Sequence, residues 1–105
     1  MVLTEPFGYI DPEGNRWDAP AGSVIDGASI PQVAWSVIGG PFEGKYRNAS
    51  VIHDVACDQR QRPWDKVHLT FYYAMRACDV EESLAGTMYA AVYYFGPRWE
   101  ETVTV

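Results

Sequence analysis

The chain has 105 residues, 48% of them hydrophobic, with 14 acidic against 8 basic side chains and a formal charge of −6 at pH 7. That size supports one domain with one modest core, and that composition excludes a chain disordered throughout. The acidic balance excludes nucleic-acid binding through a broad basic surface and electrostatic attachment to anionic lipid.

The first third reads as β. Val2 to Ile10 is rich in β-branched and aromatic residues, and its interruption by Pro6 and Gly8 predicts an edge strand. Asp11-Pro12-Glu13-Gly14-Asn15 is turn chemistry, and Arg16-Trp17-Asp18 is the returning strand. Pro20-Ala21-Gly22 breaks it, and Ser23-Val24-Ile25 forms a short third strand stopped by Asp26-Gly27. From Ser29 the signals are helical. Ser29-Ile30-Pro31-Gln32 has the spacing of a capping box and opens a helix to about Ile38. A loop with three glycines, Gly39 to Gly44, follows. A second helix runs from near Asn48 to near Arg60, with Arg62-Pro63 as the break. A third begins near Trp64, where Trp64, Val67, His68, Phe71, Met75 and Cys78 form one stripe. A fourth opens on an Asp79-x-x-Glu82 cap, buries Leu84, Met88, Ala91, Val92 and Phe95, and stops at Gly96-Pro97.

The expected fold class is α+β. A small N-terminal antiparallel β unit (1–28) packs on a three- to four-helix bundle (29–96), and Trp99 to Val105 is a short tail or strand, all in a single domain. No apolar run reaches membrane-spanning length, and the N-terminus lacks the basic and apolar regions of a secretory signal. With only two cysteines, Cys57 and Cys78, the expectation is a reduced, cytoplasmic protein.

The chain has two histidines, His53 and His68. A zinc site would need both to converge with Cys57 and Cys78, and these residues show no C-x-x-C or H-x-x-x-H spacing. Cys57 lies one helical turn from His53, the spacing of a Cys–His nucleophile pair, with no orienting third group visible. The sharper cluster is His53-Asp54 together with Asp26-Gly27-Ala28-Ser29. Neighbours on a helix point about 100° apart, so one can face the core while the other faces a loop. A buried Asp54 needs a partner: a cation, backbone N–H groups, Lys45 or Arg47. Structural roles stand beside these. Asp26 suits a turn, Ser29 an N-cap, His53 and His68 hydrogen-bonded core positions, and Asp54 a tie to the Asp26 loop. Tyr72-Tyr73 and Tyr93-Tyr94 either line a pocket or pack helices with wet hydroxyls.

The run Val24-Ile25-Asp26-Gly27-Ala28-Ser29-Ile30-Pro31, then Trp35, then Tyr46-Arg47-Asn48-Ala49-Ser50-Val51-Ile52-His53-Asp54, resembles a family of small phage and bacterial proteins. That family is catalogued as domain of unknown function 1353. Its pattern is a D-G-A-S-I-P segment, a Gly-rich loop and an A-x-x-H-D helix, and the resemblance covers roughly residues 5 to 96. The chain departs from the pattern at Val67-His68-Leu69-Thr70-Phe71, where many members carry an acid in place of His68. The resemblance implies no activity. It implies a phage or prophage accessory protein, virion-associated or bound to another protein.

A weaker similarity is to secreted phospholipases A2, chiefly the small microbial ones, which share a D-G segment and an H-D helix. That similarity implies His53 as the base and Asp26 and Asp54 as calcium carboxylates, with the cation polarising an ester carbonyl. The carboxylate that orients the histidine in those enzymes should lie opposite His53, near Ala74 and Met75, which are apolar. His68 is expected to lean toward the interhelical loop and away from His53.

Two functional classes follow. One is a non-enzymatic binding or structural module in which Asp26, His53 and Asp54 form a latch, with Ser29, Tyr46 and His68 beside it. The other is a calcium-type metal-assisted hydrolase. The missing orienting carboxylate favours the module, with a protein as partner and no nucleic acid. Asp26 and Asp54 are expected to lie close together. Asp54→Ala is expected to destabilise the fold more than His53→Ala, because Asp54 can satisfy backbone donors of the Asp26 loop and a His53 facing a cleft would lose little packing.

Overall fold

Asp11 builds the first turn by accepting three hydrogen bonds. The Glu13 and Asn15 backbone N–H groups each lie 2.9 Å from its Oδ1, and the Trp17 indole N–H lies 3.0 Å from its Oδ2. Burial pushes the Asp11 carboxyl up, but the donors from Trp17, Asn15 and Glu13 outweigh it and hold the group below its ordinary value. The turn joins β1 (Phe7–Ile10) to β2 (Arg16–Ala19) as an antiparallel pair with Tyr9 opposite Trp17. Along β2 the period of two sends Trp17 and Ala19 inward and leaves Arg16 and Asp18 exposed. The expected third strand is reduced to one bridge between Val2 and Val24, because Gly22, at φ +89°, turns the chain just before it.

The computed structural model describes residues 2–25, 30–32, 34 and 44–100. In the first helical stretch the Ala34 N–H donates to Pro31 O, so Pro31 stands at the start of a helical turn. The rest of that expected helix and the loop 39–43 lie outside the described residues. A 3-10 turn, Gly44–Tyr46, leads into α1 (Arg47–Gln59), which ends on Arg60 in the left-handed region at φ +51°. Pro63 then sets the entry to α2 (Trp64–Ala77), where its missing N–H costs nothing.

The turn after α2 differs from the expected cap. Val80 N–H donates to Met75 O and Asp79 N–H to Arg76 O, which is a Schellman closure with Asp79 at φ +65° in its left-handed position. Asp79 is thus committed to ending α2 and does not cap α3 (Glu82–Phe95), which begins without a side-chain cap. Along α3 Ala85, Met88 and Val92 are buried, with Leu84 and Ala91 half-buried. Phe95 is 75% exposed, against expectation. Tyr93 already stacks on Trp64, the first residue of α2, at 5.2 Å, so Phe95 lies past the end of its neighbour.

The architecture is α+β: the two-stranded sheet packs on α1, α1 on α2, and α2 on α3. The core forms two groups of buried residues. Phe71, Met75, Val80, Met88 and Val92 centre the one between α2 and α3. Trp17, Ile25, Val51, Ile52, Val55 and Val67 centre the one between the sheet and α1. After α3 the chain folds back as a strap, with the Trp99 indole N–H donating to Arg62 O at 2.8 Å. Trp99 and Glu100 are not in a strand, and residues 101–105 lie outside the described residues. Among the described residues no helix is long and apolar enough to cross a membrane.

Candidate functional site

α1 places His53 and Cys57 one turn apart on a single face, and both are buried. α2 brings His68 to the same level. The connection from Arg60 to Pro63 is short, so the two helices run antiparallel, and both histidines lie within two turns of it. His53 Nε2 and His68 Nδ1 are 2.8 Å apart. Cys57 Sγ stands 3.6 Å from His53 Nε2 and 4.0 Å from its Nδ1. One ligand atom from each of the three residues lies within 4.8 Å of the others. The trio joins the two halves of the core: the His53 ring packs on Phe71 at 4.6 Å between centroids, and Cys57 belongs to the group between sheet and α1.

The strap completes the site. His68 Nε2 is 2.9 Å from Pro97 O, and the rings of Trp64 and Trp99 stand 5.9 and 6.3 Å from the imidazole. A carbonyl only accepts, so His68 Nε2 carries a hydrogen. Burial pushes His68 down from its ordinary value, with Arg98 in the same sense and the Pro97 bond and Asp65 opposing. Burial pushes His53 well below its ordinary value, and the nearby His68 adds to this. Both rings are therefore neutral near pH 7. His68 then presents a bare Nδ1, and the hydrogen in the 2.8 Å contact belongs to His53 Nε2.

Of the positions open to His53, the structure gives it the buried, hydrogen-bonded one, with an exposure of 0%. Two expectations need correction. His68 does not lean away from His53 but bonds to it, because the tight connection pairs residues nearer the loop than Ala74 and Met75. The third group missing from the His53–Cys57 pair is His68 itself, and three of the four residues considered for zinc converge despite their spacing. The fourth, Cys78, sits at the C-terminal end of α2 and is not in the trio. The available signal was the shared face of His53 and Cys57, combined with a polar His68 inside an otherwise apolar stripe.

Asp54 is buried and partnered. Asp26 and Ser29 lie outside the described residues, and with them the expected approach of Asp26 to Asp54. Lys45 Nζ donates to Asp79 O at 3.2 Å. Tyr46 is half-buried at the N-terminal end of α1 and packs against the core. Tyr73 and Tyr93 line, with Tyr89, a groove of about 340 Å³ beside Asp11 and Asp65, while Tyr72 packs on Tyr89 at 5.9 Å. Calcium takes six to eight oxygen ligands, and the trio offers none. Two imidazoles and a thiol can hold a shared proton or a softer cation.

A family model described as "Protein of unknown function (DUF1353)" matches residues 1–92. The chain is similar to the uncharacterized protein y4jT of Sinorhizobium fredii (strain NBRC 101917 / NGR234), 50% identical over 97 residues, which are 92% of this chain and 29% of that protein. It is also similar to the uncharacterized protein y4iH of the same strain, 42% identical over 98 residues, 93% of this chain and 41% of that protein. The chain spans less than half the length of these two relatives. No solved structure matches.

Proposed function

Because the chain belongs to the DUF1353 family, whose name assigns no activity, we propose a role drawn from the site: a non-enzymatic binding or structural module of phage or prophage accessory type. The chain acts as one cytoplasmic or virion-associated domain whose partner is another protein. His53 serves the latch together with Asp26 and Asp54, and His68 extends that latch to α2 and the strap. The observation that carries this reading is the complete burial of His53 with its Nε2 bonded to His68. A general base must reach the water it deprotonates. A ring packed on Phe71 and exposing no surface supports a tie between helices instead.

The test compares turnover with stability. Purified protein is assayed for hydrolysis of phospholipid and of a chromogenic ester, with calcium and with a chelator, and His53→Ala is melted in denaturant beside the parent. The expected result is no calcium-dependent hydrolysis. The expected loss of stability in His53→Ala is about 2–4 kcal/mol, from a truncated buried ring and an orphaned His68. Calcium-dependent hydrolysis abolished by His53→Asn, with the denaturation midpoint unchanged, would overturn the module reading.

A further inference from the structure

We propose that His53 Nε2, Cys57 Sγ and His68 Nδ1 are three ligands of a buried site for a borderline-soft divalent cation of the zinc class. This deepens the latch reading and rests on it.

The spacing of the donors carries the proposal. Zinc bonds nitrogen at about 2.05 Å and sulfur at about 2.3 Å, so tetrahedral angles put nitrogen and sulfur about 3.6 Å apart and two nitrogens about 3.4 Å apart. His53 Nε2 and Cys57 Sγ already stand 3.6 Å apart. The two imidazole nitrogens, at 2.8 Å, need to separate by about half an ångström, exchanging their hydrogen bond for two metal bonds. The second layer is also in place. Histidines that bind metals usually donate their other ring N–H to a carbonyl or carboxylate, which fixes the tautomer, and His68 Nε2 meets Pro97 O in that way. The donor set excludes hard cations and suits zinc or cobalt. Burial of all three side chains closes the cation to substrate, and the fourth tetrahedral position, for which the trio supplies no donor, falls to a water.

The protons balance. On binding, the Cys57 thiol loses its proton to solvent and becomes the thiolate ligand. The hydrogen on His53 Nε2 moves to its Nδ1, so the ring stays neutral and turns its bare nitrogen to the cation. His68 keeps its Nε2 hydrogen on Pro97 and needs no change. The centre carries +1: two positive charges from the cation and one negative from the thiolate.

The experiment uses the full chain, stripped with a chelator and kept under reducing conditions. Cobalt(II) chloride is titrated in and the absorption followed. The expected result is a near-ultraviolet thiolate-to-cobalt band with tetrahedral visible bands, saturating at one cobalt per chain and erased by zinc. Cys57→Ser should remove the near-ultraviolet band and Cys78→Ser should keep it. Because Cys57→Ser can fail by unfolding, X-ray absorption of the zinc-loaded parent is the second measurement, with one sulfur and two imidazoles expected in the ligand shell. A parent that shows no thiolate band, a band that survives Cys57→Ser, or a zinc shell without sulfur overturns the proposal. If the parent binds no cobalt while His53→Ala still loses stability, the cation is wrong and the latch stands. Calcium-dependent ester turnover lost in His53→Asn overturns both.

Discussion

Ser50 is 1% exposed on the buried side of α1, and its hydroxyl has no hydrogen-bond partner among the described residues. A buried polar atom left unpaired costs about 1–3 kcal/mol, so Ser50→Ala should stabilise the protein, by about 0.5–2 kcal/mol in a denaturant melt. A loss of stability would mean that the hydroxyl is satisfied. At this scale residue types were legible and pairings were not. Asp11 declares itself a turn former by its place in Asp-Pro-Glu-Gly-Asn, but nothing in that string says that its second oxygen holds the Trp17 indole. His53 and Asp54 were marked by their motif, whereas the partnership of His53 with His68 spans 15 residues and depends on the length of one connection. A small change in that connection would bring another residue of α2 opposite His53.

Helices were the most legible elements, because a 3.6-residue stripe repeats the same message several times. α1 and α2 lie where the sequence puts them, within a residue or so at each end. Caps carry one residue's worth of signal, and the Asp79-x-x-Glu82 spacing was overruled by the Schellman closure of α2. Asp79 at φ +65° occupies the position where glycine is preferred, since a β-carbon there crowds the backbone. Asp79→Gly should therefore raise stability by about 0.5–1 kcal/mol, after the extra freedom glycine gives the unfolded chain. In a protein of this size that is roughly 3–6 °C in Tm. Asp79→Ala, which keeps the β-carbon and loses the polar side chain that tolerates this conformation, should lower Tm. A lower Tm in the glycine variant would show that the aspartate side chain does more than fill the turn.

For the molecule as a whole, the switch from a two-residue to a 3.6-residue period near Ser29 made the α+β class legible. The strap was not, because its main anchors are backbone carbonyls. Pro97 O receives His68 and Arg62 O receives Trp99, and a carbonyl leaves no trace in the residue type. Trp99 also lies 5.4 Å below the Arg60 guanidinium, so one side chain ties the strap to the connection between α1 and α2. Trp99→Ala should cost about 1–3 kcal/mol and speed amide exchange both in residues 97–100 and in the Arg60–Pro63 connection. Faster exchange confined to 97–100 would show that the strap supports nothing beyond itself.

The strap also gives the site a timetable. His68 finds its acceptor 29 residues further along the chain. The donor sits on α2 and the acceptor lies past the far end of α3, so the roof over the imidazole is laid only when all three helices have packed. Loosening α3 would therefore uncover His68 without breaking a bond within α1 or α2. Anything that reaches the two imidazoles and the thiol from this side must wait for the strap to lift, so the opening rate of residues 97–100, and not diffusion, sets how fast the trio can react.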